Sequence, residues 1–145
     1  MKDEPTTPAA PLPTAPLPEA VAVLVRHAER VLLIQRANHL PLGGYWTPVT
    51  GRLEPGETHA DAAHREVREE VGLAIDLGPE LHRAPTSNGL FMLTYFTATL
   101  SPPTQPTPTN DPTEVAEARW LTASDIATLE PMLPTTRAIL GRLLG

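Results

Sequence analysis

The sequence predicts an α/β chain in which a strand-rich sheet is sandwiched between helices, and three observations carry that prediction. Two apolar, β-branched runs, Val21-Ala22-Val23-Leu24-Val25 and Val31-Leu32-Leu33-Ile34, flank His27-Ala28-Glu29-Arg30, the pattern of a hairpin whose strands have buried faces. An amphipathic stretch follows, with Ala60, Ala63, Val67 and Val71 at i, i+3, i+7 and i+11, a narrow stripe of small residues suited to close packing of a helix on a sheet. A second helical pattern is opened by Pro134 and carries Ile139, Leu140, Leu143 and Leu144 as its buried stripe. At 145 residues, 41% apolar and 19% charged, the chain has material for one domain with one core.

Taken in order, residues 1–18 hold prolines at 5, 8, 11, 13, 16 and 18 and read as a flexible arm, since extended proline-rich chain builds no core. Residues 19–145 are expected to form the single domain. The loop from Asn38 to Tyr45 contains Pro41 and Gly43-Gly44, and Trp46 to Thr50 leads into a tight turn at Pro55-Gly56. Thr58 is placed to cap a helix of about four turns, and Gly72 to end it in the left-handed conformation. Ala74 to Leu81 reads as a strand interrupted at Gly78-Pro79, and Gly89 to Leu100 as a longer strand with both faces occupied. The proline-rich stretch 101–112 is a surface loop ending near the helix, Glu117 to Leu121 the last strand, and Thr122 with Asp125 the start of a helix over Ser124 to Leu129.

The informative stretch is Gly51 to Leu73. Glu66, Glu69 and Glu70 stand at i, i+3 and i+4, which puts three carboxylates within an arc of about 100°. Each like-charged pair costs about 0.2–0.5 kcal/mol, and each anion in the last turn roughly a further 0.3–1 kcal/mol against the helix dipole. Arg65, in reach of Glu69 and Asp61, recovers only part of this. A bound cation removes the penalty, and oxygen ligands without cysteine or paired histidine select a hard ion, Mg²⁺ or Mn²⁺, over zinc. His59 and His64, five apart, miss metal spacing and read as surface residues. The carboxylate face is rotated about a quarter turn from the apolar stripe, so Glu66 and Glu70 are expected at the edge of the packing interface.

Written as spacing, the segment is Gly51, five residues, Glu57, seven residues, Arg65-Glu66-Val67, one residue, Glu69-Glu70, one residue, Gly72-Leu73. It resembles the Nudix box, G-x5-E-x7-R-E-U-x-E-E-x-G-U with U apolar, at every defined position. The resemblance implies an α/β/α sandwich with a mixed sheet, and a hydrolase that cleaves a pyrophosphate bond in a nucleoside diphosphate linked to another moiety, by water attack on phosphorus. It further implies that Glu66, Glu69, Glu70 and the Gly51 carbonyl are the Mg²⁺ ligands, and that Arg65 and Glu57 hold them in place. Glu114 stands where similar chains carry a glutamate that joins the metal site or acts as base, with Glu117 as its competitor. Glu69 is the first choice of general base and Glu114 the second.

Two candidates lie outside the box. Arg36, at the end of the second strand, is read either as a cation for substrate phosphate or as an exposed strand end. Trp46 either stacks on a base or fills core. Val49-Thr50 stands before the box where Pro-Gly is commoner, and no subgroup signature follows, so nucleoside triphosphates, dinucleoside polyphosphates and nucleotide sugars all stay open as substrates. A non-catalytic Nudix-like nucleotide-binding module is the competing function, disfavoured because all the box glutamates are present. The formal charge of −6 argues against nucleic acid as partner. Zero cysteines, no basic leader and no long apolar run fit a cytoplasmic protein off the membrane.

Overall fold

A computed structural model describes residues 16–102 and 107–144. The expected arm falls outside the described residues up to residue 15, as do positions 103–106 of the expected loop. The elements in order are β1 (Glu19–His27), β2 (Arg30–Arg36), β3 (Trp46–Thr47), β4 (Val49–Arg52), α1 (His59–Val71), β5 (Ile75–Pro85), β6 (Met92–Leu100), β7 (Val115–Leu121), α2 (Ala123–Thr128) and α3 (Pro134–Leu144). The sheet is mixed, as expected: β1 runs parallel to β6, while every other pairing is antiparallel among the described residues.

β1 is the axis. One edge pairs with β6 from Glu19 to Arg26; the other is shared, with β4 over Ala20 to Val23 and with β2 at Arg26 and His27. A strand enclosed on both edges and both faces reads as a continuous apolar run, which is why Ala20 to Val25 are all buried. Alternation divides the run. Val21, Val23 and Val25 join α1 in one core with Leu32, Val49 and Phe96, whereas Ala22 and Leu24 join Leu33, Tyr95, Ile126 and Leu140 beneath α2 and α3. The sheet is thus covered on both faces.

Several strand limits differ from expectation, β7 among them, which starts at Val115 instead of Glu117. β5 continues to Pro85, because register shifts after Leu77 and after Glu80 absorb Pro79, which has no N–H for the ladder. β6 starts at Met92, since residues 86–91 form a turn closed by the Thr86 N–H donating to the Phe91 carbonyl at 2.8 Å. The Thr122–Asp125 capping box opens α2 as expected, and Arg137 of α3 donates to the Ile126, Ala127 and Leu129 carbonyls at its other end.

Candidate active site

The site is built on α1. Thr58 caps it by accepting the Asp61 N–H, and Gly72 ends it at φ 68°, a conformation a side chain would strain. Past Gly72 the helix end is closed from outside: the Thr109 N–H donates to the Val71 carbonyl at 2.8 Å and the Asp111 N–H to the Glu70 carbonyl at 3.0 Å. This return of the chain sets Glu114 beside the same helix end, where its charge acts on Glu70.

Buried residues along α1 are Ala62, Ala63, Val67, Glu70 and Val71. Ala60 is exposed, so the apolar stripe lies further toward the carboxylates than its spacing suggested. Glu70 therefore falls inside the packing interface instead of at its edge, 4% exposed, with Oε1 buried and without a hydrogen-bond partner. Burial first, then the charges of Glu66 and Glu114, push its carboxyl up to about 9, with Arg36 opposing. Glu66 is 12% exposed at its side chain and is also pushed up by burial, against the pull of its hydrogen bond to Glu70 and of Arg65. Its carboxyl lies directly over Gly51, where an added Cβ would fall 2.0 Å from both Cδ and Oε2. Only glycine at position 51 leaves that space.

Glu69 is placed apart from the other two. Its side chain is 56% exposed, it accepts from Arg65 Nη1 at 3.1 Å, and it does not line the cleft described below. The arc that joined it to Glu66 and Glu70 on paper is split by the sheet, which covers one side of the helix and leaves Glu69 to solvent. Arg65 is the hub of the loop–helix junction. Its guanidinium donates twice to Glu57, from Nε at 2.7 Å and Nη2 at 2.9 Å, and also to Glu66 at 3.0 Å and the Arg52 carbonyl at 2.9 Å. The bond from Arg65, with the Glu54 N–H on Oε1, lowers Glu57 to about 2, and the same carboxylates raise Arg65 further.

A cleft of about 610 Å³ opens against these groups. Arg36, Gly51, Arg65, Glu66, Glu70 and Glu114 all line it. Arg36 donates from Nε to the Pro41 carbonyl at 2.8 Å, which holds the side chain by the loop. Glu117, the competitor of Glu114, pairs with Arg119 and does not line the cleft. Trp46 is not at the cleft either. It is 4% exposed in the core beneath α2 and α3, on the far face of the sheet from α1, with the Arg119 guanidinium 5.1 Å from its ring centre, so it fills core. His59 is tied down by Glu19 Oε1 at 3.0 Å and is not an isolated surface residue.

Two cleft residues escaped the sequence reading. Arg52, at a variable position of the box, places its guanidinium 5.2 Å from the ring centre of Phe91, and both line the cleft. The residues 39 positions apart are joined only by tertiary structure.

Whether the donors suit a hard cation can be judged from the structure itself. The orphaned Glu70 oxygen, the Glu66 carboxyl seated on Gly51 and the all-oxygen donor set fit one. The fit involves two carboxylates drawn together, and among the described residues no three acidic or imidazole groups converge into a ready cage. Burial and the neighbouring Glu66 charge both favour the protonated form of Glu70, and a cation between the two carboxyls would oppose that.

Comparison with known proteins gives consistent matches. The family model described as NUDIX domain matches residues 16–143. The NAD-capped RNA hydrolase NudC of Vibrio vulnificus (strain CMCP6) is 29% identical over 129 residues, covering 86% of this chain and 46% of that protein. The human 8-oxo-dGDP phosphatase NUDT18 is 47% identical over 53 residues, 37% of this chain and 16% of that one. The chain thus spans less than half the length of these curated relatives. Among solved structures, the MutT protein from Methanosarcina mazei Go1 superposes with a TM-score of 0.76 at 19% identity, over 91% of this chain and 96% of that one, a likeness of fold.

Proposed function

The chain belongs to the Nudix family, and from that premise we propose that it is a divalent-metal-dependent pyrophosphohydrolase acting on a nucleoside diphosphate linked to another moiety. The observation that carries the reading is the pair Glu66 and Glu70 at the wall of an open cleft, one carboxyl seated on Gly51 and the other holding a buried oxygen without a partner. Buried carboxylates with unfilled acceptor capacity are costly unless a ligand completes them.

Glu66 and Glu70 would hold Mg²⁺ or Mn²⁺ with the Gly51 carbonyl. Such an ion supplies neutralisation of phosphate oxygens and a more acidic bound water. The remaining work falls to the chain. Arg65, anchored by Glu57, fixes the Glu66 carboxyl and keeps the loop of residues 53–58 against the helix. Arg36 presents a guanidinium to the anionic part of the substrate, and Glu114, lining the same cleft, is the better placed proton acceptor. Glu69, first choice from sequence, is turned away and tied to Arg65, which makes it a support for the hub. A small nucleotide is the proposed substrate and the cytoplasm the proposed location. The names of the relatives, one on a capped RNA and one on a nucleoside diphosphate, support a nucleotide-linked diphosphate without choosing what it is linked to.

A panel of nucleoside triphosphates, dinucleoside polyphosphates and nucleotide sugars, assayed for phosphate, pyrophosphate and nucleoside monophosphate release with Mg²⁺, Mn²⁺ or EDTA, tests the proposal. Metal-dependent release from at least one compound is expected. Nucleotide binding with no release across the panel would instead favour a binding module.

A further inference from the structure

The cleft has a second wall of different chemistry. By sheet register Arg52 lies opposite Ala20 and Ala20 beside Leu93, so the three form one row across β4, β1 and β6. Strand alternation turns this row to the side away from Gly51 and Glu66, yet both sides line the one cleft. Phe91, two residues before Leu93, carries the Arg52 guanidinium 5.2 Å from its ring centre. Ala20 puts only a methyl between Arg52 and Leu93, which leaves room above the row. Among the described residues no carboxylate pairs with Arg52, unlike Arg65, whose N–H groups are spent on Glu57, Glu66 and Glu69.

We propose that Phe91 and Arg52 form a stacking platform for the planar aromatic moiety of the substrate, and that the platform reads the presence of a base without reading which base. An aromatic face and a flat cation stack on any base, since every base has a π face. Discrimination between bases needs donor and acceptor pairs at the base edge. The platform itself lacks them: Arg52 is a donor only, and the hydroxyls nearest it along the cleft wall are committed as donors, Thr50 to the Pro48 carbonyl at 2.7 Å and Thr86 to Asn88 Oδ1 at 2.7 Å. The inference rests on the proposed reaction only for which end of the cleft takes the phosphates.

Calorimetry in Mg²⁺ buffer should compare the four nucleoside 5′-monophosphates with ribose 5-phosphate, for wild type, Phe91→Leu, Phe91→Tyr and Arg52→Gln. The four nucleotides should bind within about 10-fold of one another and ribose 5-phosphate about 10-fold or more weaker, the size of one lost stacking contact. Phe91→Leu should bring the nucleotides down to the ribose 5-phosphate level and leave that sugar phosphate unchanged, Phe91→Tyr should retain wild-type affinity, and Arg52→Gln should weaken all four nucleotides alike. Equal binding of ribose 5-phosphate, a preference of more than about 100-fold for one base, an unchanged Phe91→Leu, or no nucleotide binding at all would overturn the platform. Hydrolysis across the panel with any of those results removes the platform alone. Base-dependent binding without hydrolysis removes the proposed reaction alone.

Discussion

Replacing Gly51 with alanine isolates one carboxylate without touching it. The backbone at Gly51 is not in the positive-φ region, so alanine meets no conformational strain there. Its methyl, however, would stand 2.0 Å from Glu66 Cδ and Oε2 and 2.4 Å from Cγ, against an ordinary carbon contact of about 3.5–4 Å. The carboxyl must therefore retreat by roughly 1.5 Å or more, out of its bond with Arg65 Nη1 and away from Glu70. Stability changes little: glycine to alanine gains about 0.4–1 kcal/mol through the unfolded chain, and the lost charged hydrogen bond costs about 1.5–3 kcal/mol before Arg65 rearranges. A net loss of about 1–2 kcal/mol corresponds to a Tm lower by roughly 2–8 °C for a chain of this size. Catalysis suffers far more, because misplacing a site group by about 1 Å costs on the order of 10²-fold. Turnover with saturating metal, measured beside thermal melts, should show kcat down by at least about 10²-fold in a folded protein. A variant that keeps kcat within a factor of about three would refute the claim that Glu66 must sit on Gly51.

The other expectations concern charge and position. Glu57 is held at about 2 in the fold against an ordinary 4.5, so its stabilising pairing with Arg65 is fully present above pH 4.5 and is lost as pH falls toward 2. The Tm gap between wild type and Glu57→Gln should close across that window, and a gap independent of pH would mean that packing, not the ion pair, stabilises the junction. Mg²⁺ or Mn²⁺ should raise the wild-type Tm, and Glu70→Gln should abolish that rise while melting close to metal-free wild type, since the amide keeps the volume of a buried carboxyl; an undiminished rise would remove Glu70 from the cation site. Glu114→Gln should lower kcat by about 10²-fold or more and Glu69→Gln by much less, the reverse order restoring Glu69 as the base. Truncation to residue 19 should lower Tm more than truncation to residue 16, because the Pro18 carbonyl accepts the Met92 N–H at 2.9 Å, and equal melts would show that this bond contributes nothing.

What could be read from sequence was whatever local spacing determines. The caps Thr58 and Gly72 and the shared face of Glu66 and Glu70 lie within one helix, where 3.6-residue periodicity and cap chemistry decide geometry, whereas the Glu57–Arg65 pairing and the place of Gly51 come from the resemblance to the Nudix box. The rest is settled where a distant element decides burial. Glu69 is left in solvent by where the sheet ends, apart from Glu66 and Glu70, and the choice between core and cleft for Trp46, open in the sequence, is made by α3, neither of which is encoded near those residues. The parallel pairing of β1 with β6 joins residues some seventy positions apart, and the Arg52–Phe91 contact exists only because of it. The interruption at Gly78-Pro79 was legible and appears as the register shifts after Leu77 and Glu80, but the continuation of β5 from Leu81 to Pro85 depends on pairing with β6 and has no local signal.

The closure of α1 by residues 109 and 111 has a consequence for how this chain can be altered. Both bonds use main-chain N–H groups, which every standard residue except proline can donate, while the Asp111 carboxylate separately accepts the Thr113 N–H at 2.9 Å and hydroxyl at 2.6 Å in the turn that leads to Glu114. At the docking positions themselves the helix end therefore reads amides and not side chains: exchange of Thr109 for another residue that keeps its N–H should leave Glu114 in place, whereas proline at position 109 should loosen the whole return of the chain.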